Sequence, residues 1–121
     1  MRSLYPKLLL LLTVSCVTHD FDNTSPAESL RLASALCKKN YAEMQWYKTL
    51  LQDIRSDQAL VGDIYSVEVD GNRIFIHQPM IMSCWACVLY DCDGNKIPPN
   101  AIAPYHPHIK MTPENRIYKA Q

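Results

Sequence analysis

Cysteine, histidine and methionine are the residue types in this chain best suited to bind a metal or move electrons, and they gather in two places. Met80, Met82, Cys84, Cys87 and Cys92 lie within thirteen positions, and Tyr105, His106 and His108 follow in a proline-rich stretch. Cys84-Trp85-Ala86-Cys87 has thioredoxin-type spacing. Redox chemistry at that spacing needs a low-pKa thiolate at a helix N-terminus after a strand. Here the motif runs into Val88-Leu89-Tyr90, which reads as a strand, and no βαβ pattern surrounds it. Cys84, Cys87, His106 and His108, with Cys92, also form a candidate zinc or copper set, since thiolate and imidazole suit both metals. The spacing is poor: there is no second CxxC, and His106-Pro107-His108 sits among prolines. Met80 and Met82 are of the type that holds copper(I), but next to Ile81 they read as core filler.

Other chemistries find less support. Asp91-Cys92-Asp93-Gly94-Asn95 has its glycine at the fourth position of a calcium loop instead of the sixth, and Ile102 stands where the bidentate glutamate belongs. There is no GxSxG, P-loop or HExxH, and only three glycines are present to build a phosphate cradle. Glu43, Asp53, Asp57 and Glu68 fall on helix or strand surfaces, and disulfide pairing would consume a Cys-His nucleophile. His77 reads as a hydrogen-bonded sheet residue. No catalytic constellation emerges, so neither an enzyme nor a cofactor is expected.

The ends of the chain carry a clearer message. Arg2 and Lys7 precede the apolar run Leu8–Val14, which is too short to span a bilayer that needs about 20 apolar residues. Residues 1–15 therefore read as a secretory signal. Leu12-Thr13-Val14-Ser15-Cys16 resembles a bacterial lipobox, departing from it at Thr13, and Cys16 is the candidate lipidation residue. Residues 16–26 read as a tether and 27–121 as a single domain with a proline-rich loop over 98–113. Twelve basic and twelve acidic side chains balance, and loss of Arg2 and Lys7 would leave the chain slightly acidic. That is no footprint for nucleic acid. The expected contacts are the membrane, through the lipid anchor, and an unidentified protein or envelope partner, with Tyr105, His106 and His108 of the proline-rich loop and the exposed side of the hairpin as candidate contact surfaces. A secreted or periplasmic soluble form is the alternative location.

Four cysteines remain after Cys16: Cys37, Cys84, Cys87 and Cys92. An even count in an exported chain favours disulfides, with three connectivities open. Residues i and i+3 of a strand lie about 10 Å apart, beyond the roughly 7 Å reach of a disulfide. Cys84 and Cys87 can therefore join each other only if SCWAC is a turn. One or two bridges from Cys37 to the 84–92 segment are the preferred expectation.

The elements that must position these residues follow from periodicity. Leu30, Ala33, Leu36 and Cys37 mark a short helix from about Ala27. Asn40 and Glu43 have capping-box spacing, and Met44, Tyr47, Leu50, Leu51 and Ile54 recur at helical intervals, predicting an amphipathic helix over Tyr41–Arg55 with Trp46 and Tyr47 as packing residues. From residue 64 the period becomes two, and Asp70-Gly71 marks a hairpin over 64–78. A strand at Ala86–Tyr90, a turn at Asp93–Asn95, a brief strand at Lys96-Ile97 and an edge strand in residues 115–119 complete the pattern. The predicted class is α+β: one or two N-terminal helices packed on an antiparallel meander of three to five strands.

As a set, "CKKNYAEMQWYKTLLQDI", "VDGNRIFI" and "CVLYDCDGNKI" resemble a family of small exported, lipoprotein-like Bacteroidetes proteins. The shared features are a Cys-Asn pair ahead of a Trp-Lys helix, a Gly-turn hairpin and a YxCDG stretch, over about Cys37–Ile97. The resemblance implies this fold and an exported location, and it carries no catalytic residue. The sequence thus points to an exported, lipid-anchored binding module. The alternative is a thiol-redox or metal-binding protein using the CxxC cluster.

Overall fold

Pro26 begins a helix instead of ending a tether. Proline is at home in the first turn, where its missing N–H costs nothing, and the Ser25 side chain accepts from the Glu28 N–H at 3.4 Å. This helix, α1, spans Pro26–Cys37 and stops where Lys38 turns left-handed at φ 56°. The computed structural model describes residues 25–86, 88–101 and 103–120, with the Pro99 and Tyr105 side chains outside that description. The expected signal segment, Cys16, the tether up to Thr24, and Cys87 lie outside the described residues.

The next helix opens on the expected capping box. Asn40 Oδ1 accepts from the Glu43 N–H at 3.0 Å, and Glu43 Oε1 accepts from the Asn40 N–H at 3.2 Å. Two donors that a helix start leaves unpaired are thereby satisfied. The first turn, Tyr41–Met44, is 3-10, and α2 proper runs Gln45–Ser56.

Five antiparallel strands follow: β1 (Gly62–Val69), β2 (Asn72–Pro79), β3 (Val88–Tyr90), β4 (Lys96–Ile97) and β5 (Arg116–Tyr118), in the order β4-β3-β2-β1-β5. Asp70 (φ 53°) and Gly71 (φ 80°) both take positive φ, as a type I′ hairpin turn requires. The α+β arrangement matches the expected class. β3 is shorter than predicted because Ala86 adopts φ 54°, which no strand accommodates.

The sheet is covered on both faces. On one, Ile64, Phe75, Ile117 and Tyr118 pack with Met44, Tyr47, Leu50, Leu51 and Ile54 of the helical layer. Ser29 and Tyr47, both buried, share a hydrogen bond of 2.7 Å between their hydroxyls. On the other face, Val67, Val69, Ile74, Ile76, Ala86 and Leu89 are sealed by Ile109. The expectation of a merely extended proline-rich surface loop is corrected here. Prolines fix φ near the 3-10 value, so the segment coils into turns at Pro99–Ala101 and Ala103–His108 and plugs Ile109 into the sheet.

His77 lies at the sheet's helix-facing side, 2 % exposed, with Nε2 2.7 Å from the Leu60 carbonyl. A carbonyl only accepts, so Nε2 carries a hydrogen. Burial pulls the imidazole pKa below its ordinary 6.5, partly offset by the Leu60 bond and reinforced by Lys96. The unfolded chain therefore takes up this proton before the folded one does. Stability from His77 is complete above about pH 6.5 and declines as pH falls from there towards the depressed native value. Urea denaturation across pH 7.5 to 5 should show wild-type protein losing stability faster than His77→Gln. Parallel curves would refute the assignment.

Candidate functional site

β2 ends at Pro79, and the chain needs a connection to return as β3. That connection, residues 80–87, presents Met80, Ile81, Met82 and Trp85 to solvent at 72, 73, 41 and 47 % exposure. Among the described residues these are four of the five exposed large apolar side chains. Such clustering on one loop makes it the candidate contact surface, whereas singly scattered apolar residues carry no such signal.

The loop is held in shape by the polar side chain at its root. Gln78 Nε2 donates to the carbonyls of Met82 (3.4 Å) and Cys84 (3.1 Å), and Gln78 Oε1 accepts from the Ala86 N–H at 2.9 Å. Backbone bonds from Met80 N–H to Val61 O (2.7 Å) and from Met82 N–H to Pro79 O (3.1 Å) close its first turn. At its far end Ala86 is fully buried in the second core cluster. Trp85 lies edge-on to His106, with ring centroids 5.4 Å apart. The loop therefore meets the Ala103–His108 turn through an aromatic contact.

A groove runs beside the loop, lined by Asp63, Tyr65, Met80, Met82, Lys119 and Ala120 among others. Its carboxylate is already engaged. Asp63 takes the Ala120 N–H at 2.7 Å and the Tyr65 hydroxyl at 3.4 Å, and it faces Arg116 at 3.7 Å. Burial, followed by the nearby Asp63 charge, pushes the Tyr65 phenol above its ordinary range.

The cysteines divide between the two ends of the fold. Cys37, the last residue of α1, is bonded to Cys92 in the Asp91–Asn95 turn, with Cα atoms 5.8 Å apart. This is the expected bridge from Cys37 into the 84–92 segment. Around it, Lys39 pairs with Asp93 at 2.6 Å and the Trp46 indole N–H donates to Cys92 O at 2.9 Å. Cys84 is also disulfide-bonded, to a sulfur outside the described residues. Residues 84–86 bend and turn, with Ala86 at φ 54°, and Cys84 has no thiolate to offer a metal while oxidised.

The remaining candidates separate. His106 contacts Trp85, and His108 is exposed on the same turn. Among the described residues no three His, Cys, Asp or Glu side chains converge for a metal. No helix of the described residues is long and apolar enough to cross a membrane.

Sequence reasoning bet on Tyr105, His106, His108 and the hairpin's outer side as contact surfaces and missed the loop before β3. Met80 and Met82, expected as core filler, are exposed, Met80 most of all. A signal was present. Pro79 ends a strand, and Met80-Ile81-Met82 is a consecutive apolar run that neither alternates nor repeats at helical spacing. Comparison with known protein families, curated proteins and solved structures finds no match to this chain.

Proposed function

We propose that this protein is an exported, disulfide-stapled binding module, anchored at the cell envelope through acylated Cys16 and acting by contact. The observation that carries this reading is the loop over Met80–Trp85. Three hydrogen bonds from one glutamine hold apolar side chains out in water, an arrangement that destabilises the isolated domain unless a partner covers them. The Cys37–Cys92 bond supports the exported location, since such bonds persist in oxidising compartments. The lipobox-like Cys16 supports the anchor, because acylation on more than one chain holds a protein stably on a membrane. The resemblance to small exported Bacteroidetes proteins points the same way.

The exposed, oxidised Cys84 is the observation that favours a thiol-redox alternative. Its turn leads into β3 and not into a helix N-terminus that would stabilise a thiolate. One measurement separates the readings. Protein extracted from membranes should lack residues 1–15, carry acyl mass on Cys16, and expose no thiols when denatured until reductant frees four. An unmodified chain in the soluble fraction would overturn the anchor, and thiols titrating before reduction would overturn the staple.

A further inference from the structure

The apolar loop and the N-terminal start of the domain share one end of the molecule. Ser25 and Pro26 line a groove together with Val61, Tyr118 and Ala120. The Val61 carbonyl holds the Met80 N–H, and Ala120 continues into the groove beside Met80 and Met82. The opposite end carries the Asp70-Gly71 turn and the Asp91–Asp93 segment, which border a common groove with Cys37, Lys38 and Arg73. Eight residues lie between Cys16 and Ser25, and such a connection spans at most about 30 Å.

From this juxtaposition we infer that the Met80–Trp85 loop docks on the lipid surface to which Cys16 is anchored, seating its apolar tip in the bilayer interface. The inference rests on the lipid-anchor reading above. Tether length keeps the tip within reach of the bilayer, and domain polarity turns it that way. Met80 and Ile81 are 72 and 73 % exposed, so they can enter a soft surface without needing a preformed pocket. Trp85 suits the interface, where an indole buries its ring while its N–H stays hydrated. Charge agrees: Asp63 in the adjoining groove is paired with Arg116, and Lys119 adds a cation. An anionic bilayer attracts Lys119 and meets little repulsion there.

The test uses the full-length acylated protein reconstituted into vesicles of phosphatidylethanolamine and phosphatidylglycerol, some with brominated acyl chains. Trp85 emission should shift to the blue and be quenched by the brominated lipid, and Trp85→Phe should abolish both effects while Trp46 stays unquenched. The chain beginning at residue 16 with Cys16→Ser, which has neither the acyl chain nor residues 1–15, should still partition onto these vesicles. Adding Met80→Asp and Ile81→Asp should reduce that partitioning at least about tenfold with an unchanged melting temperature, since both side chains are already in water. If the acylated protein stays on the vesicles with Trp85 unquenched, docking is overturned and the loop is left for a protein partner. If native Cys16 carries no acyl chain, the anchor reading falls, and the partitioning of the Cys16→Ser chain still decides the loop.

Discussion

Replacing Cys37 and Cys92 together by serine should lower stability by about 4 kcal/mol, the loop-entropy value for a closure of this length. The bond joins residues 55 apart, so it removes much of the unfolded chain's freedom. Domains of this size hold only about 5–15 kcal/mol in total. The melting temperature should therefore fall by roughly 15–30 °C. The bridge also fastens the end of α1 to the turn that carries the Cys92 carbonyl, on which the Trp46 indole depends. Thermal melts by circular dichroism with and without reductant provide the control, because reduction of wild-type protein should move the transition the same way. A change below about 5 °C for the double variant would show that helix packing alone sets the position of α1.

Gly94→Ala should cost about 2–5 kcal/mol from left-handed strain and overpacking combined. Gly94 has φ +84°, and an added Cβ would sit 2.7 Å from Trp46 Cβ and against Cγ of the same ring. Those atoms are the root of the side chain and cannot swing away. The ring is also gripped from several sides, packing on Tyr47, Phe75 and Tyr90 with centroids 5.4 to 5.6 Å away. Gly71→Ala is the matching control. Gly71 has φ +80° with nothing within 4 Å of the added methyl, so only the backbone cost of about 1–2 kcal/mol applies. The difference between the two urea midpoints isolates the clash with Trp46. Equal midpoints would show that the Asp91–Asn95 turn shifts freely.

Local rules explain why much of the fold was legible. The capping box at Asn40 and Glu43, the helical recurrence from Met44 to Ile54, and the Asp70-Gly71 turn each act within a few residues. The bridge from Cys37 was readable because a strand cannot close an i, i+3 disulfide, which forces a remote partner or a turn. The remote solution occurs at Cys92, and the chain turns at residues 84–86, where Cys84 is also oxidised.

What remained hidden depends on what covers each face. Ser66, polar and placed outward by alternation, is buried because a second layer lies over its face, and its hydroxyl donates to the Ile74 carbonyl at 3.2 Å. The proline-rich segment has no period to read, yet one isoleucine in it seals the second core cluster. The candidate site was hidden for the opposite reason. Methionine and isoleucine are core residues by composition, and only the end of β2 at Pro79 and the grip of Gln78 hold them outside.

The sequence by itself determined the helices, the hairpin, the strand class and the demand for disulfides, because capping, periodicity and bond reach are short-range constraints. Only the tertiary structure decided which cysteine answers Cys37, which face the prolines cover, and that the apolar loop shares an end with the start of the domain. Those outcomes depend on distances between residues far apart in the chain, where burial of the whole sheet outweighs the preference of any single segment.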